Sequence, residues 1–388
     1  MPECFLVLAP PASNILVAFT YFTCQLVRPL KCVIIRALKG LILKMNIKII
    51  NIIGILVICG LSLGVFFWID RSQTVKKNEL LSVAEISETI KIPEAETENM
   101  HPVLIPALMK KEFDGRELKL VRILDENEVY TRHYITYKSG DLTISGILNI
   151  PKGQGPFPLL VLNHGYIDPE IYTNGRGLKR EQDYLARHGY AVIHSDYRNH
   201  AESTKTESAD LSFRFGYTED VINAILAVQK AGLPNIDIQN VGMLGHSMGG
   251  GVAQNVMVVR PDLVKAVVLF APVSGDARHN FERWVVRRPE IAQTILLTYG
   301  SPEQEPQFWD NISPINFLSR VSSPVMIHHG TADESVPIEW SQNLENKLKD
   351  ADKEAVFHIY EGEPHEFTAA WPQVMKRTTD FFDLYFNK

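Results

Sequence analysis

A serine in a glycine-flanked turn, an aspartate after one apolar run and a histidine after another have the types and order that acyl transfer needs. Ser247 lies in Gly245-His246-Ser247-Met248-Gly249, between Val241-Gly242-Met243-Leu244 and Gly250-Gly251-Val252-Ala253-Gln254-Asn255-Val256-Met257. That context reads as buried strand, sharp turn and buried helix, which exposes the central hydroxyl and aims the following backbone N–H groups at one point. The flanking glycines have a steric reason, because a Cβ at either place would meet the neighbouring strand or helix. Composition alone produces G-x-S-x-G about 0.1 times in a chain of this length, so its meaning depends on its partners.

A serine hydroxyl is a poor nucleophile at neutral pH and needs a base, which an acid must orient. Where the nucleophile sits on such an elbow, the chain order is Ser, Asp or Glu, then His. Asp333 lies in His329-Gly330-Thr331-Ala332-Asp333-Glu334-Ser335-Val336-Pro337, and His365 in Glu361-Gly362-Glu363-Pro364-His365-Glu366-Phe367. Taken singly, Asp333 reads as a helix cap, with Glu334 competing for the acid's role, and His365 as a surface histidine. Their joint occurrence, in order and each at the end of a predicted strand, assigns Ser247, Asp333 and His365 as a triad. His328, His329 and His358 fall within predicted strands and read as core or lining residues. Of the two donors a tetrahedral oxyanion needs, one is the N–H of Met248, after the nucleophile. The other comes from Asn163-His164-Gly165-Tyr166, where the Tyr166 N–H is the choice; the Tyr166 hydroxyl, or a merely lining aromatic ring, are the alternatives.

The elements that would position these residues alternate. Arg132–Tyr137 and Leu142–Leu148 form a hairpin around Ser139-Gly140-Asp141. Strands follow at 159–162, 191–194, 241–244, 266–270, 324–328 and 356–360. Helices fall at 177–188, at 218–230 with Thr218 as N-cap, after the serine, at 337–348 and from Pro372 onward. This order predicts a mostly parallel central sheet, helices on both faces and an antiparallel edge. The stretch 274–316 interrupts the alternation. It is basic (Arg278, Arg283, Arg287, Arg288), carries Trp284 and Trp309, and reads as a small helical cap over the strands' C-terminal edge, where open α/β sheets bind ligands.

The whole chain has 388 residues and a net charge of -6, which gives no reason to expect nucleic acid as a partner. All four cysteines (Cys4, Cys24, Cys32, Cys59) precede residue 60. The catalytic region, 112–388, therefore has no disulfide, thiolate metal site or cysteine nucleophile, and the chemistry above requires neither cofactor nor metal. Ile49–Ile69 is apolar and uncharged, long enough for a membrane-spanning helix, so 47–69 is read as an uncleaved anchor and 70–111 as a polar, Glu-rich stalk. Basic residues upstream (Arg28, Lys31, Arg36, Lys39, Lys44, Lys48) outnumber Arg71, Lys76 and Lys77 beyond it. The excess places the catalytic domain outside the cytoplasm. Residues 1–46 form an N-terminal extension with two readings: a second, short membrane segment, or sequence upstream of a true start at Met45.

With these motifs in place the chain resembles the α/β-hydrolases, and is similar to the catalytic domain of the prolyl oligopeptidase (S9) peptidases and their esterase relatives. The resemblance covers about Tyr130 to Phe386 and rests on Asn163–Tyr166, Asp196–Ser203, Gly245–Gly250, His329–Asp333 and Pro364–Phe367. It implies an α/β-hydrolase fold and a serine hydrolase, S9 peptidase-like or acting as a carboxylesterase on small esters. The interval between the apolar segment and the catalytic region cannot hold the β-propeller by which large S9 peptidases screen peptides. A second departure is Asn199 and Ala201, which stand where the family usually has glycines and imply a stiffer loop that braces the elbow. A binding module that kept the fold and lost catalysis would have lost the serine or the histidine, and both are present.

Overall fold

A computed structural model describes residues 101–206 and 209–387. The extension 1–46, the apolar segment 47–69 and the stalk up to residue 100 lie outside the described residues. No helix among the described residues is long and apolar enough to cross a membrane. The stalk's last residues do not read as linker. They include helix α1 (Ile105–Lys110), whose Ile105 and Leu108 are buried in the domain core.

Among the described residues, nine strands form one sheet: β1 (Gly115–Glu126), β2 (Tyr130–Ser139), β3 (Leu142–Pro151), β4 (Phe157–Asn163), β5 (Ala191–Ser195), β6 (Ile236–His246), β7 (Ala266–Phe270), β8 (Val325–Gly330) and β9 (Ala355–Tyr360). Their order is β1-β2-β3-β5-β4-β6-β7-β8-β9. The first three strands and the β3–β5 pair are antiparallel, and every pair from β5 to β9 is parallel. The central strands are continuous apolar runs because both sheet faces are covered. Side chains alternate between the two cores with the strand period of two. Leu159 and Val161 enter one core with Met243, Val267 and Leu269, while Leu160 and Leu162 enter the other with Leu244 and Val268. Helices α3 (Phe215–Ala231) and α4 (Met248–Val259) cover the first face. Helix α2 (Lys179–Arg187) and the final helix (Trp371–Phe386) cover the second.

Two elements differ from expectation. Strand β1 carries Leu118, Leu120, Val121, Ile123 and Leu124 without alternation, and three register shifts against β2 explain why. Each bulge moves the next side chain to the other face, erasing the period by which a strand is recognised. Helix α3 begins a turn before Thr218, which is an interior residue and not the N-cap. The buried Phe215 and Tyr217 extend its apolar face, and the Thr218 hydroxyl accepts a hydrogen bond from Asn255 Nδ2 at 3.2 Å.

After β7 come the cap helices α5 (Ala277–Asn280), α6 (Pro289–Tyr299) and α7 (Pro306–Asn311), linked by a wide turn at Phe281–Val285 and followed by a 3-10 turn at Pro314–Arg320. Trp309, fully buried against Phe281, anchors them. Helix α8 (Ile338–Asp350) leads back to β9, and α9 is the final helix. Strand order reverses at β4: β5 lies on one side of it and β6 on the other. The crevice at such a reversal, at the strands' C-terminal ends, is where open α/β sheets bind ligands.

Candidate active site

Ser247 stands at the C-terminal end of β6, between that strand and α4. Its backbone (φ 55°, ψ -118°) lies outside the regions a non-glycine residue normally occupies, so the elbow must be held by its surroundings. The Ser247 N–H donates to the Phe270 carbonyl at 2.9 Å, and its own carbonyl accepts from Gly250 at 2.9 Å and Val273 at 3.1 Å. The glycines answer to close approach. A Cβ on Gly249 would lie 2.0 Å from the Asn163 carbonyl oxygen of β4, and one on Gly245 would lie 2.4 Å from the Gly249 oxygen.

Asp333 follows β8 and His365 follows β9, so parallel pairing brings both to the same sheet edge as Ser247. His365 Nδ1 donates to Asp333 Oδ2 at 2.7 Å. That bond fixes the tautomer and leaves Nε2 as the basic nitrogen. Asp333 Oδ1 accepts from the N–H groups of Ser335 and Val336, both at 2.8 Å. Burial by itself would raise the Asp333 pKa, but hydrogen bonds from His329, His365 and the Val336 N–H override it and hold the carboxylate well below its usual range. Glu334, the competing acid, is exposed.

Ser247 and His365 line one cavity of about 540 Å³, together with Tyr166, Met248 and the cap residues Phe281 and Trp284. Met248 is the first residue of α4, so its N–H has no acceptor within the helix. A Cβ on Gly165 would lie 3.2 Å from Ser247 Cβ, so the loop after β4 passes the serine immediately before Tyr166. That path favours the Tyr166 N–H over its hydroxyl as the second donor. The ring itself is 56% exposed and lies beneath the Arg214 guanidinium, 5.1 Å from its carbon.

Two histidines at the site were not singled out by sequence reasoning. His329, expected in the core, is indeed fully buried, but its Nε2–H is shared between Asp333 Oδ2 and the Val336 carbonyl, each at 3.0 Å. Nothing in its type or spacing separates it from a core histidine. His246 donates from Nε2 to the His365 carbonyl at 3.2 Å, and the two rings lie 4.5 Å apart. Burial, then the neighbouring His365, push the His246 pKa down to about 4, so it braces the loop as a neutral ring. Its signal was its place inside the serine motif. His328 is buried against Tyr360, and His358 is half-buried, as expected of strand residues.

The segment Asp196–Ser203 follows β5. Asp196 is buried and accepts from Ser145 Oγ at 2.6 Å, Asn174 Nδ2 at 2.7 Å, and the Tyr172 hydroxyl and Gly175 N–H at 2.8 Å. Tyr197, Asn199 and Ala201 all have left-handed backbones, with φ of 64°, 71° and 45°. Side chains therefore occupy positions where glycine relieves steric conflict.

A family model described as the prolyl oligopeptidase family matches residues 177–388. Among curated relatives, the uncharacterized peptidase YuxL of Bacillus subtilis (strain 168) is 26% identical over 294 residues, covering 72% of this chain and 42% of that protein. This chain therefore spans less than half of that relative. Among solved structures, an acetyl xylan esterase from Paenibacillus sp. R4 superposes with a TM-score of 0.55 at 19% identity, covering 72% of this chain and 92% of the other. A Pyrococcus horikoshii acylaminoacyl peptidase gives 0.53 at 20% identity, covering 67% and 42%. At these identities the structural likeness shows the fold: an α/β-hydrolase sheet.

Proposed function

We propose that this chain, which belongs to the prolyl oligopeptidase family, is a serine hydrolase that cleaves an ester or peptide bond through an acyl-enzyme. The observation that carries this is the 2.7 Å bond from His365 to Asp333, with His365 lining the same cavity as a serine held on a strained elbow. In the proposed reaction Ser247 Oγ attacks the substrate carbonyl while His365 Nε2 takes its proton. Asp333, kept ionised by its donors, stabilises the imidazolium and fixes its orientation. The N–H groups of Met248 and Tyr166 receive the tetrahedral oxyanion. The imidazolium then protonates the leaving group, and water, activated by the same nitrogen, releases the acid and regenerates Ser247.

The cavity is of the size that takes small ligands, and relatives bear both peptidase and esterase names. A paired screen of p-nitrophenyl esters and aminoacyl-nitroanilides tests this. Hydrolysis of either set, abolished in Ser247→Ala, is expected; hydrolysis that survives that substitution rejects the reading. The apolar segment 47–69 supports the further proposal that the enzyme is held at a membrane with its catalytic domain outside the cytoplasm. Carbonate-resistant membrane fractionation of the full chain, lost on deleting 47–69, is the expected result; full-length protein in the soluble fraction contradicts it.

A further inference from the structure

The sequence places four arginines in the cap, and the structure separates them. Arg278 is tied to Asp310 and the Pro306 carbonyl. Arg283 donates to the Ser335 carbonyl at 2.8 Å, binding the cap to the loop of Asp333. Arg287 is exposed. Arg288 alone of the four lines the cavity. There it meets Arg214, the residue that precedes α3, and both clasp Asp210 on the 3-10 turn Ala209–Ser212. Arg214 donates to Asp210 Oδ1 from Nε at 2.8 Å and contacts it from Nη2 at 2.7 Å, while Arg288 Nη1 donates to Oδ2.

Two guanidiniums on one carboxylate leave one positive charge. Asp210 uses Nε and Nη2 of Arg214 and Nη1 of Arg288; among the described residues this leaves Nη1 of Arg214 and Nε and Nη2 of Arg288 as donors for an incoming acceptor. The three side chains are 18–34% exposed, so the charge is partly shielded yet reachable. The rest of the wall is largely apolar, with Phe213, Phe281, Val285 and Ile312. The cavity's other carboxylate, Glu366, is exposed on the loop of His365, and the cavity's remaining titratable lining groups are Tyr166, His246 and His365. A planar guanidinium pair is suited to bidentate capture of a carboxylate.

We propose that Arg214 and Arg288, held in place by Asp210, are specificity residues that receive a carboxylate on the substrate. This rests on the serine hydrolase reading and adds a substrate class to it. The carboxylate can belong to the acyl group or to the leaving group, and paired substrates distinguish the two. One pair is the p-nitrophenyl monoester of glutaric acid against p-nitrophenyl butyrate. The other is 4-acetoxybenzoate against 4-acetoxybenzamide.

The measured quantity is the acidic-to-neutral ratio of kcat/KM within each pair. In one pair, Arg288→Met and Arg214→Met should each lower that ratio by about tenfold, the scale of one charge-assisted contact. Arg287→Met, one residue from Arg288 and exposed, should leave it unchanged. In the unmodified enzyme, rising ionic strength should slow the acidic substrate and spare the neutral one, a result that needs no variant to fold. Ratios that ignore both substitutions and salt in both pairs overturn the proposal. Hydrolysis of all four esters that survives Ser247→Ala faults the serine hydrolase reading instead.

Discussion

Asp196 and Asp333 are both buried carboxylates just beyond the C-terminal end of a parallel strand, and each accepts four hydrogen bonds, yet the proposed reaction gives them opposite work. The donors to Asp196 are a serine, a tyrosine, an asparagine and a backbone N–H, all belonging to the framework. Burial raises its pKa in spite of them. Asp333 gives one oxygen to two backbone N–H groups and the other to two imidazoles, one of which lines the cavity. Its donors overcome burial and lower its pKa. A buried aspartate is thus functional or structural according to where its last donor leads. Burial and the number of bonds do not decide it.

Substituting each aspartate by asparagine puts the contrast under the greatest strain. Asp333→Asn should reduce kcat by about 10³–10⁴-fold, because an amide no longer stabilises the imidazolium or enforces its tautomer; the imidazoles facing Oδ2 can change tautomer and accept the amide protons, so the unfolding midpoint should move less than for Asp196→Asn. Asp196→Asn should show the reverse. Its amide would point two protons at existing donors, costing about 3 kcal/mol of stability, with kcat of the folded fraction within a few-fold of the parent. Stopped assays and denaturant titrations on both variants check this, and similar behaviour of the two would erase the distinction.

Acid acts on both regions. Burial drives the His164 pKa down to about 3, with His200 adding to the effect, and His246 falls to about 4. In the unfolded chain these rings titrate near ~6.5. Below that value the unfolded state takes up protons that the folded state refuses, so stability is full above ~6.5 and is lost as pH falls toward the folded values. Each ring contributes a slope of about 1.4 kcal/mol per pH unit. Unfolding midpoints measured from pH 8 to pH 4.5 should decline accordingly.

The smallest effect concerns the bracing loop alone. Ala201 sits at φ 45° with no compensating side-chain bond, whereas Asn199, at φ 71°, accepts the Thr206 N–H through Oδ1 at 2.6 Å. Ala201→Gly should therefore stabilise the protein by about 0.5–1 kcal/mol, the left-handed cost less the added freedom of the unfolded chain. Asn199→Gly should not. Thermal melts of both resolve the difference.

How far the chain could be read follows the same physics. The central strands and the three candidate catalytic positions were legible because unbroken apolar runs mark buried parallel strands, and strand ends mark where polar groups emerge. Strand β1 was not, since its bulges destroy the alternation that identifies an edge strand. The start of α3 was missed because Thr218 looked like a cap, although Phe215 and Tyr217 continue the buried face before it. His329 was placed correctly in the core, but its bond to Asp333 is a product of tertiary approach. The division of the cap arginines into tethers and one cavity residue likewise depends on partners distant in sequence, Asp210 foremost.

The most direct test of the central claim is covalent. A fluorophosphonate should label the protein once per chain, at Ser247 by peptide mapping. Ser247→Ala should remove that label and the hydrolytic activity together, and His365→Ala should suppress both. Labelling at another residue, or hydrolysis at the parent rate in Ser247→Ala, would contradict the account.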